Sequence, residues 1–175
     1  MKKDVKRFMA GVCAFVCLLA VASVGGWHSG YRWNATASYP EGLWRISYGT
    51  PHKGDLVFFK PPEDNSAILW ARETGILNWQ WGLSTTMLKR IVAVEGDLVE
   101  VTDHVSVNGQ VLPNSYVSQH DGAGRSIPAL AHSGVVPPGK VWLMSDFNVK
   151  SFDSRYFGQV DASAILGFAH PVFTW

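Results

Sequence analysis

From Phe8 to Val24 the chain runs seventeen residues without a charge, directly behind Lys2, Lys3, Lys6 and Arg7. As a helix this run spans about 25 Å, a little less than the roughly 30 Å hydrocarbon core of a bilayer. It is apolar on every side, which suits lipid better than the surface of a soluble domain. The length falls between the core of a cleavable leader and an anchor helix. Ala20-Val21-Ala22 has the form of a cleavage site, so trimming stays open, but a retained anchor is the preferred reading. Basic residues ahead of the run keep the N-terminus in the cytoplasm and send the chain beyond Val24 across the membrane. The chain thus divides into a basic tip with its membrane segment, residues 1–26, and an exported body, residues 27–175.

Charge and cysteine placement narrow what that body can do. Residues 1–24 hold four of the fifteen Lys and Arg and one of the fourteen acids. Eleven basic and thirteen acidic residues remain, a net charge of −2. A near-neutral body offers no field for phosphates, so nucleic acid is not an expected partner. Both cysteines, Cys13 and Cys17, lie in the apolar run, leaving the body without a disulfide, a thiol nucleophile or a thiolate metal site. His28, His52, His104, His120, His132 and His170 are scattered without ligand spacing; no metal and no cofactor are expected.

The body reads as strands. Seventeen Gly, nine Pro and 13% aromatic residues argue against a helical bundle. Short β-branched or aromatic runs at Leu43–Ser47, Leu56–Lys60, Leu88–Val94, Leu98–Thr102, Val105–Val107 and Val141–Met144 end at or near Gly, Pro, Asn or Asp. Asn108-Gly109 predicts a tight hairpin and Gly96-Asp97 a second turn. One short helix is expected over Asn65–Thr74, before the breaker Gly75. A long connection from about Pro113 to Pro138 is either a binding or lid element or a floppy excursion. The predicted architecture is mainly β, a single antiparallel, barrel-like domain behind one N-terminal transmembrane helix.

Three constellations offer chemistry, each beside a plainer reading. Ser38 precedes Pro40 and Gly42 just outside the membrane segment, where most serines merely turn the chain. Asn34-Ala35-Thr36 also matches a glycosylation acceptor, read as a chance match. In Met87–Asp97, alternation puts Lys89, Ile91 and Ala93 on one side and Leu88, Arg90 and Val92 on the other. Whichever side is buried takes a cation with it. A buried lysine loses hydration, its pKa falls, and it becomes able to act as a general base; the alternative is an edge strand whose Lys and Arg both reach water. In Lys150–Gly158, an extended backbone would set Ser151, Asp153 and Arg155 on one side. They form either a rigid polar support that orients a base or a surface ion pair of little worth.

Taken in order, Ser38, Lys89 opening Lys-Arg-Ile-x-Ala-x-x-Gly-Asp, and Ser151-x-Asp153-Ser-Arg155-Tyr-Phe-Gly158 resemble the type I signal peptidases. Lys53-Gly54-Asp55-Leu56-Val57-Phe58, Val107-Asn108-Gly109 and Val136-Pro137-Pro138-Gly139-Lys140 resemble further segments of that family, so the likeness covers about Asn34 to Pro171. Two departures carry information. Pro40 follows Ser38 by two residues rather than three, and Met144-Ser145-Asp146-Phe147-Asn148 stands where general members show Gly-Asp-Asn. In so short a chain, the first is more similar to the TraF-type conjugative transfer peptidases, and the second also points away from the general signal peptidases.

The resemblance implies a signal-peptidase-like fold and a Ser-Lys dyad in which Ser38 is the nucleophile and Lys89 the base. It further implies an oxyanion site from the Ser38 amide and the Thr36 hydroxyl, a Ser151 hydroxyl bonded to Lys89, and a wall stiffened by Asp153 and Arg155. The implied substrate is a membrane-embedded precursor protein, foremost a conjugative pilin precursor, processed on the periplasmic side of the bacterial inner membrane. The product is linear, or cyclic if an amine resolves the acyl-enzyme. Trp27, Tyr31, Trp33, Tyr39 and Trp44 cluster beside the anchor and suggest contact with membrane lipid, although Trp44 serves equally as core; Trp79-Gln80-Trp81 is either a second interfacial contact or packing. The rivals are a general signal peptidase and a non-catalytic, membrane-tethered β module of a conjugation or secretion apparatus.

Overall fold

The computed structural model describes residues 2–77 and 86–175, so Trp79-Gln80-Trp81 lies outside the described residues. Helix α1 (Lys2–His28) is longer than the uncharged run and long and apolar enough to cross a membrane. The adjacent Gly25-Gly26 does not end it. The stop comes at Gly30, whose φ of +86° is left-handed and whose N–H bonds the Trp27 carbonyl at 3.1 Å. A Cβ at Gly30 would sit 3.0 Å from the Ile46 carbonyl, so the helix leaves the sheet at a point only glycine fits well. Arg32 then ties helix to sheet, donating to the Trp27 carbonyl at 2.8 Å with its guanidinium over the Trp27 ring.

The body is mainly β and antiparallel. Strands β1 (Tyr31–Asn34), β2 (Gly42–Ser47), β3 (Leu56–Phe59), β4 (Met87–Val94), β9 (Lys140–Met144), β10 (Val160–Asp161) and β11 (Ile165–Thr174) form a curled half-barrel sheet in the order β1-β2-β11-β3-β4-β9-β10. A smaller sheet of β5 (Leu98–Val101), β6 (Val105–Val107), β7 (Gln110–Val111) and β8 (Gly134–Val135) is ordered β7-β6-β5-β8. The Asn108-Gly109 turn joins β6 to β7 with both residues at positive φ, as a two-residue hairpin of this twist requires. Helix α2 (Ser66–Glu73) begins where Asn65 accepts hydrogen bonds from the Ala67 and Ile68 amides.

Sequence periodicity missed the longest strand. β11 carries Gly167 and Pro171, both ordinary strand breakers, yet it lies between β2 and β3. Each breaker coincides with a register shift, one between Ile165 and Gly167 and one between Pro171 and Phe173. The chain therefore tolerates them as bulges. At Gly167, with φ +149°, a Cβ would stand 2.4 Å from the Ser47 carbonyl. β4 bends likewise between Ile91 and Ala93. This corrects the expected alternation: Ala93 packs with Val92, Trp142 and Met144, on the side away from Ile91.

One face of the sheet packs Val57, Phe59, Met87, Ile91 and Leu143 against α2 and the 152–157 segment; the other buries Trp44, Ile46, Phe58 and Leu88. Burial corrects part of the aromatic reading. Tyr39 and Trp44 are 5% and 3% exposed and belong to the core, whereas Trp33 stays 56% exposed on the outer row Trp33-Leu43-Phe173 of β1, β2 and β11. The connection after Pro113 is not an excursion. Ser118 donates its amide to the Tyr156 hydroxyl, the Leu130 amide bonds the Tyr156 carbonyl, and the Tyr116 carbonyl accepts from Arg155.

Candidate active site

Ser38 sits half-buried in the loop between β1 and β2, and polar side chains hold that loop from two directions. From beneath, Asn34, only 5% exposed, gives its amide to the carbonyls of Thr36, Tyr39 and Pro40 at 3.0, 3.0 and 3.1 Å. Its Oδ1 accepts the Thr36 hydroxyl at 3.0 Å. The side chain that matched a glycosylation acceptor is thus an interior clamp. From the other side comes the turn after β9. Ser145 Oγ donates to the Ser38 carbonyl at 2.6 Å, Asn148 Nδ2 to the Ala37 carbonyl at 2.9 Å, and the Tyr39 hydroxyl donates to Asp146.

Lys89 projects from β4 on the side of Met87 and Ile91, opposite Val57 of β3, and is 1% exposed. Burial pushes its amine down to about 8. The Asp153 carboxylate pulls upward against that fall, and the Arg155 guanidinium adds to it. Antiparallel pairing matches Arg90 with Met144, so one step further sets Lys89 across from Ser145, the residue that grips the Ser38 carbonyl. Arg90, on the opposite side of the strand, is half-buried and donates to Asp146 at 2.8 Å. The carboxylate of Asp146 thereby joins the residue after Ser38 to the residue after Lys89. It also raises the Tyr39 phenol pKa, together with burial, which contributes most.

The third constellation is not an extended strand. Asp153 caps α3 (Ser154–Phe157), accepting the Arg155 amide at 3.2 Å. Both side chains are fully buried and meet fork to fork, Nε to Oδ1 at 2.8 Å and Nη2 to Oδ2 at 3.0 Å. The Asp153 carboxylate also receives the Ser145 amide at 3.1 Å, and Arg155 Nη1 reaches the Tyr116 and Val149 carbonyls. This is an interior brace under the turn that holds Ser38, not a surface pair.

The resemblance implied a Ser151 hydroxyl bonded to Lys89. That hydroxyl makes a long contact of 3.4 Å with Ser38 Oγ, and among the described residues no hydrogen bond joins it to Lys89. Nor does a hydrogen bond join Lys89 to Ser38. The Thr36 hydroxyl spends its proton on Asn34, so service to an oxyanion requires giving up that bond. Sequence reasoning overlooked Asn34, Tyr39, Arg90, Ser145, Asp146 and Asn148 as parts of the site. The signals were faint: an Asn two residues before a loop hydroxyl, and a Ser-Asp-x-Asn turn closing a strand. Among the described residues no group of three or more His, Cys, Asp or Glu side chains converges as metal ligands would.

Comparison with known proteins matches the chain to one family. A family model described as signal peptidase, peptidase S26, covers residues 3–175. The chain is 42% identical over 173 residues to the conjugal transfer protein TraF of Agrobacterium tumefaciens, across 96% of this chain and 94% of that protein. It is 37% identical over 179 residues to the plasmid transfer protein TraF of Escherichia coli, across 100% of both. The thylakoidal processing peptidase 1 of Arabidopsis thaliana is 32% identical over 69% of this chain and 37% of its own length. A solved signal peptidase I from Enterococcus faecalis aligns with 70% of this chain and 98% of its own, at 23% identity and a TM-score of 0.42.

Proposed function

The chain belongs to the signal peptidase family, peptidase S26, and is a signal-peptidase-like serine protease; we infer that it serves a transfer system, that Ser38 and Lys89 are its catalytic dyad and that its substrate is a conjugative pilin precursor. The observation that carries the dyad is a lysine buried in apolar strands, its amine lowered to about 8, across the ladder from the residue that holds the Ser38 carbonyl. Ser38 Oγ attacks the scissile carbonyl as neutral Lys89 takes its proton. The oxyanion is met by the Ser38 amide and, after it releases Asn34, by the Thr36 hydroxyl. Lys89 passes the proton to the departing amine, leaving an acyl-enzyme. Water resolves it to a linear product; an amine of the same substrate, held closer than water, closes a ring without new catalytic groups.

Conjugal and plasmid transfer in the names of the relatives supports a dedicated precursor over a range of secreted preproteins. A non-catalytic β module would be expected to have lost Ser38 or Lys89, and both are present. In this reading α1 is retained with its N-terminus in the cytoplasm, and the body works on the periplasmic face of the inner membrane. The exposed row of Trp33 and Phe173, with the Trp175 ring tilted against Trp33 at a centroid distance of 5.6 Å, rests on lipid beside the end of the substrate's own helix. If membrane binding is lost on removing residues 1–26 alone, with these rings intact, the row has no such role.

The deciding assay co-expresses the protein with its pilin precursor and weighs the product. A shortened precursor with wild type, and an unchanged one with Ser38→Ala or Lys89→Ala, is the expected result; a mass one water below the linear peptide marks cyclisation. Precursor untouched by wild type would sink the substrate assignment, and processing by both variants would sink the dyad.

A further inference from the structure

The turn after β9 does more than support the loop, and its effect comes from the geometry of two peptide planes. Asn148 Oδ1 accepts the Lys150 amide at 2.9 Å, which can only donate, so the atom facing the Ala37 carbonyl at 2.9 Å is Nδ2. Ser145 Oγ already accepts the Phe147 and Asn148 amides at 3.2 and 3.1 Å, so its single proton goes to the Ser38 carbonyl. Two consecutive peptide planes are thus pinned by one turn. Between two rigid planes the chain has only the φ and ψ of Ser38 to vary, so the pins hold both.

These pins set the direction of one group. The Ala37–Ser38 peptide is trans, and in a trans peptide the carbonyl and the following N–H point opposite ways. With the Ala37 carbonyl drawn toward Asn148, the Ser38 N–H is aimed away from the turn. Among the described residues nothing in the protein accepts a hydrogen bond from it.

We propose that Asn148, assisted by Ser145, is a positioning residue that aims the Ser38 N–H at the developing oxyanion by holding the Ala37 carbonyl. The proposal rests on the reading of Ser38 as nucleophile. Asn148 touches no reacting atom and acts through one peptide unit. A donor kept aimed before the reaction needs no reorganisation when charge develops, and loss of a whole oxyanion donor costs about 10²–10³ in rate. Misaiming one costs somewhat less.

Asn148→Asp tests this in the full-length enzyme, because the carboxylate still accepts the Lys150 amide but sets an oxygen against the Ala37 carbonyl. The substrates are the precursor peptide cleaved in the processing assay and the same peptide with a thioamide at the scissile bond, whose sulfur accepts hydrogen bonds poorly. The expected result is a fall in kcat of about tenfold or more with KM within about twofold. The oxo-to-thio rate ratio should shrink in the variant. A general loosening of the site would slow both substrates alike and leave that ratio unchanged, which overturns the proposal, as does wild-type kcat. If Asn148→Asp does not fold, Ser145→Ala, which removes the other pin, is read by the same ratio with the same two outcomes. Cleavage that survives Ser38→Ala defeats the nucleophile reading; an inert Ser38→Ala with an unmoved ratio defeats this proposal alone.

Discussion

Replacing Lys89 with methionine removes one titrating amine and keeps a flexible apolar stem in its place. The side chain is 1% exposed, and burial lowers its pKa from the ordinary 10.5 to about 8. At pH 7 about one molecule in ten then holds the neutral amine; without the shift the fraction would be about one in three thousand. The same shift is a stability statement. Between pH 8 and 10.5 the unfolded chain binds a proton here that the folded chain has released, so stability rises with pH across that window. At about 1.4 kcal/mol per pH unit the whole gain is about 3 kcal/mol. Lys89→Met lacks it, and other titrating groups cancel in the difference. Denaturant unfolding of both full-length proteins in detergent should therefore show wild type gaining about 3 kcal/mol on the variant from pH 7 to pH 10.5. Single-turnover cleavage by wild type should rise about tenfold from pH 7 to pH 9, and the variant should lose about 10²–10⁴ in rate. A stability difference constant over that range, or cleavage that climbs only above pH 10, would refute the dry-amine argument.

Three other substitutions probe the scaffold. Asp153→Asn leaves the fully buried Arg155 without its carboxylate and should cost about 3–5 kcal/mol in unfolding. Because Asp153 pulls the Lys89 amine upward, the acidic limb of the activity profile should also move to lower pH, and an upward move would contradict that account. Asn34→Ala strips the donors from three loop carbonyls; a stability loss of about 2–4 kcal/mol and at least a tenfold fall in cleavage are expected, whereas wild-type turnover would mean the loop holds itself. Gly167→Ala forces a Cβ to 2.4 Å from the Ser47 carbonyl at φ +149° and should lower stability by more than about 2 kcal/mol, read by thermal unfolding; a loss below about 0.5 kcal/mol would show that β2 and β11 can part there freely.

Much of the architecture could be read before any coordinates. Strand patterns located β2 to β6 and β9 to within a residue or two, and the apolar residues ahead of the breaker Gly75 marked α2. β11 escaped because Gly167 and Pro171 break a pattern whose bulges become visible only once β2 and β3 flank it. The apolar run declared a membrane segment, but its end was set by Gly30 meeting Ile46 rather than by the earlier glycine pair.

Local composition and alternation were enough to show that burying either side of β4 takes one cation with it, since Lys89 and Arg90 point to opposite sides of a strand that is apolar on both. That β4 is an interior strand between β3 and β9, and not an edge, came from the sheet order. Which cation, and with what partner, depended on what packs on each side. The 152–157 segment and α2 line Lys89's side with apolar groups, while Asp146 reaches Arg90 from a turn 56 residues away. The grip of Asn34, Ser145 and Asn148 on the Ser38 loop belongs to the same category. Hydrogen bonds between groups distant along the chain leave no periodic trace in it, because they answer to where strands have brought the backbone and not to the neighbours on either side.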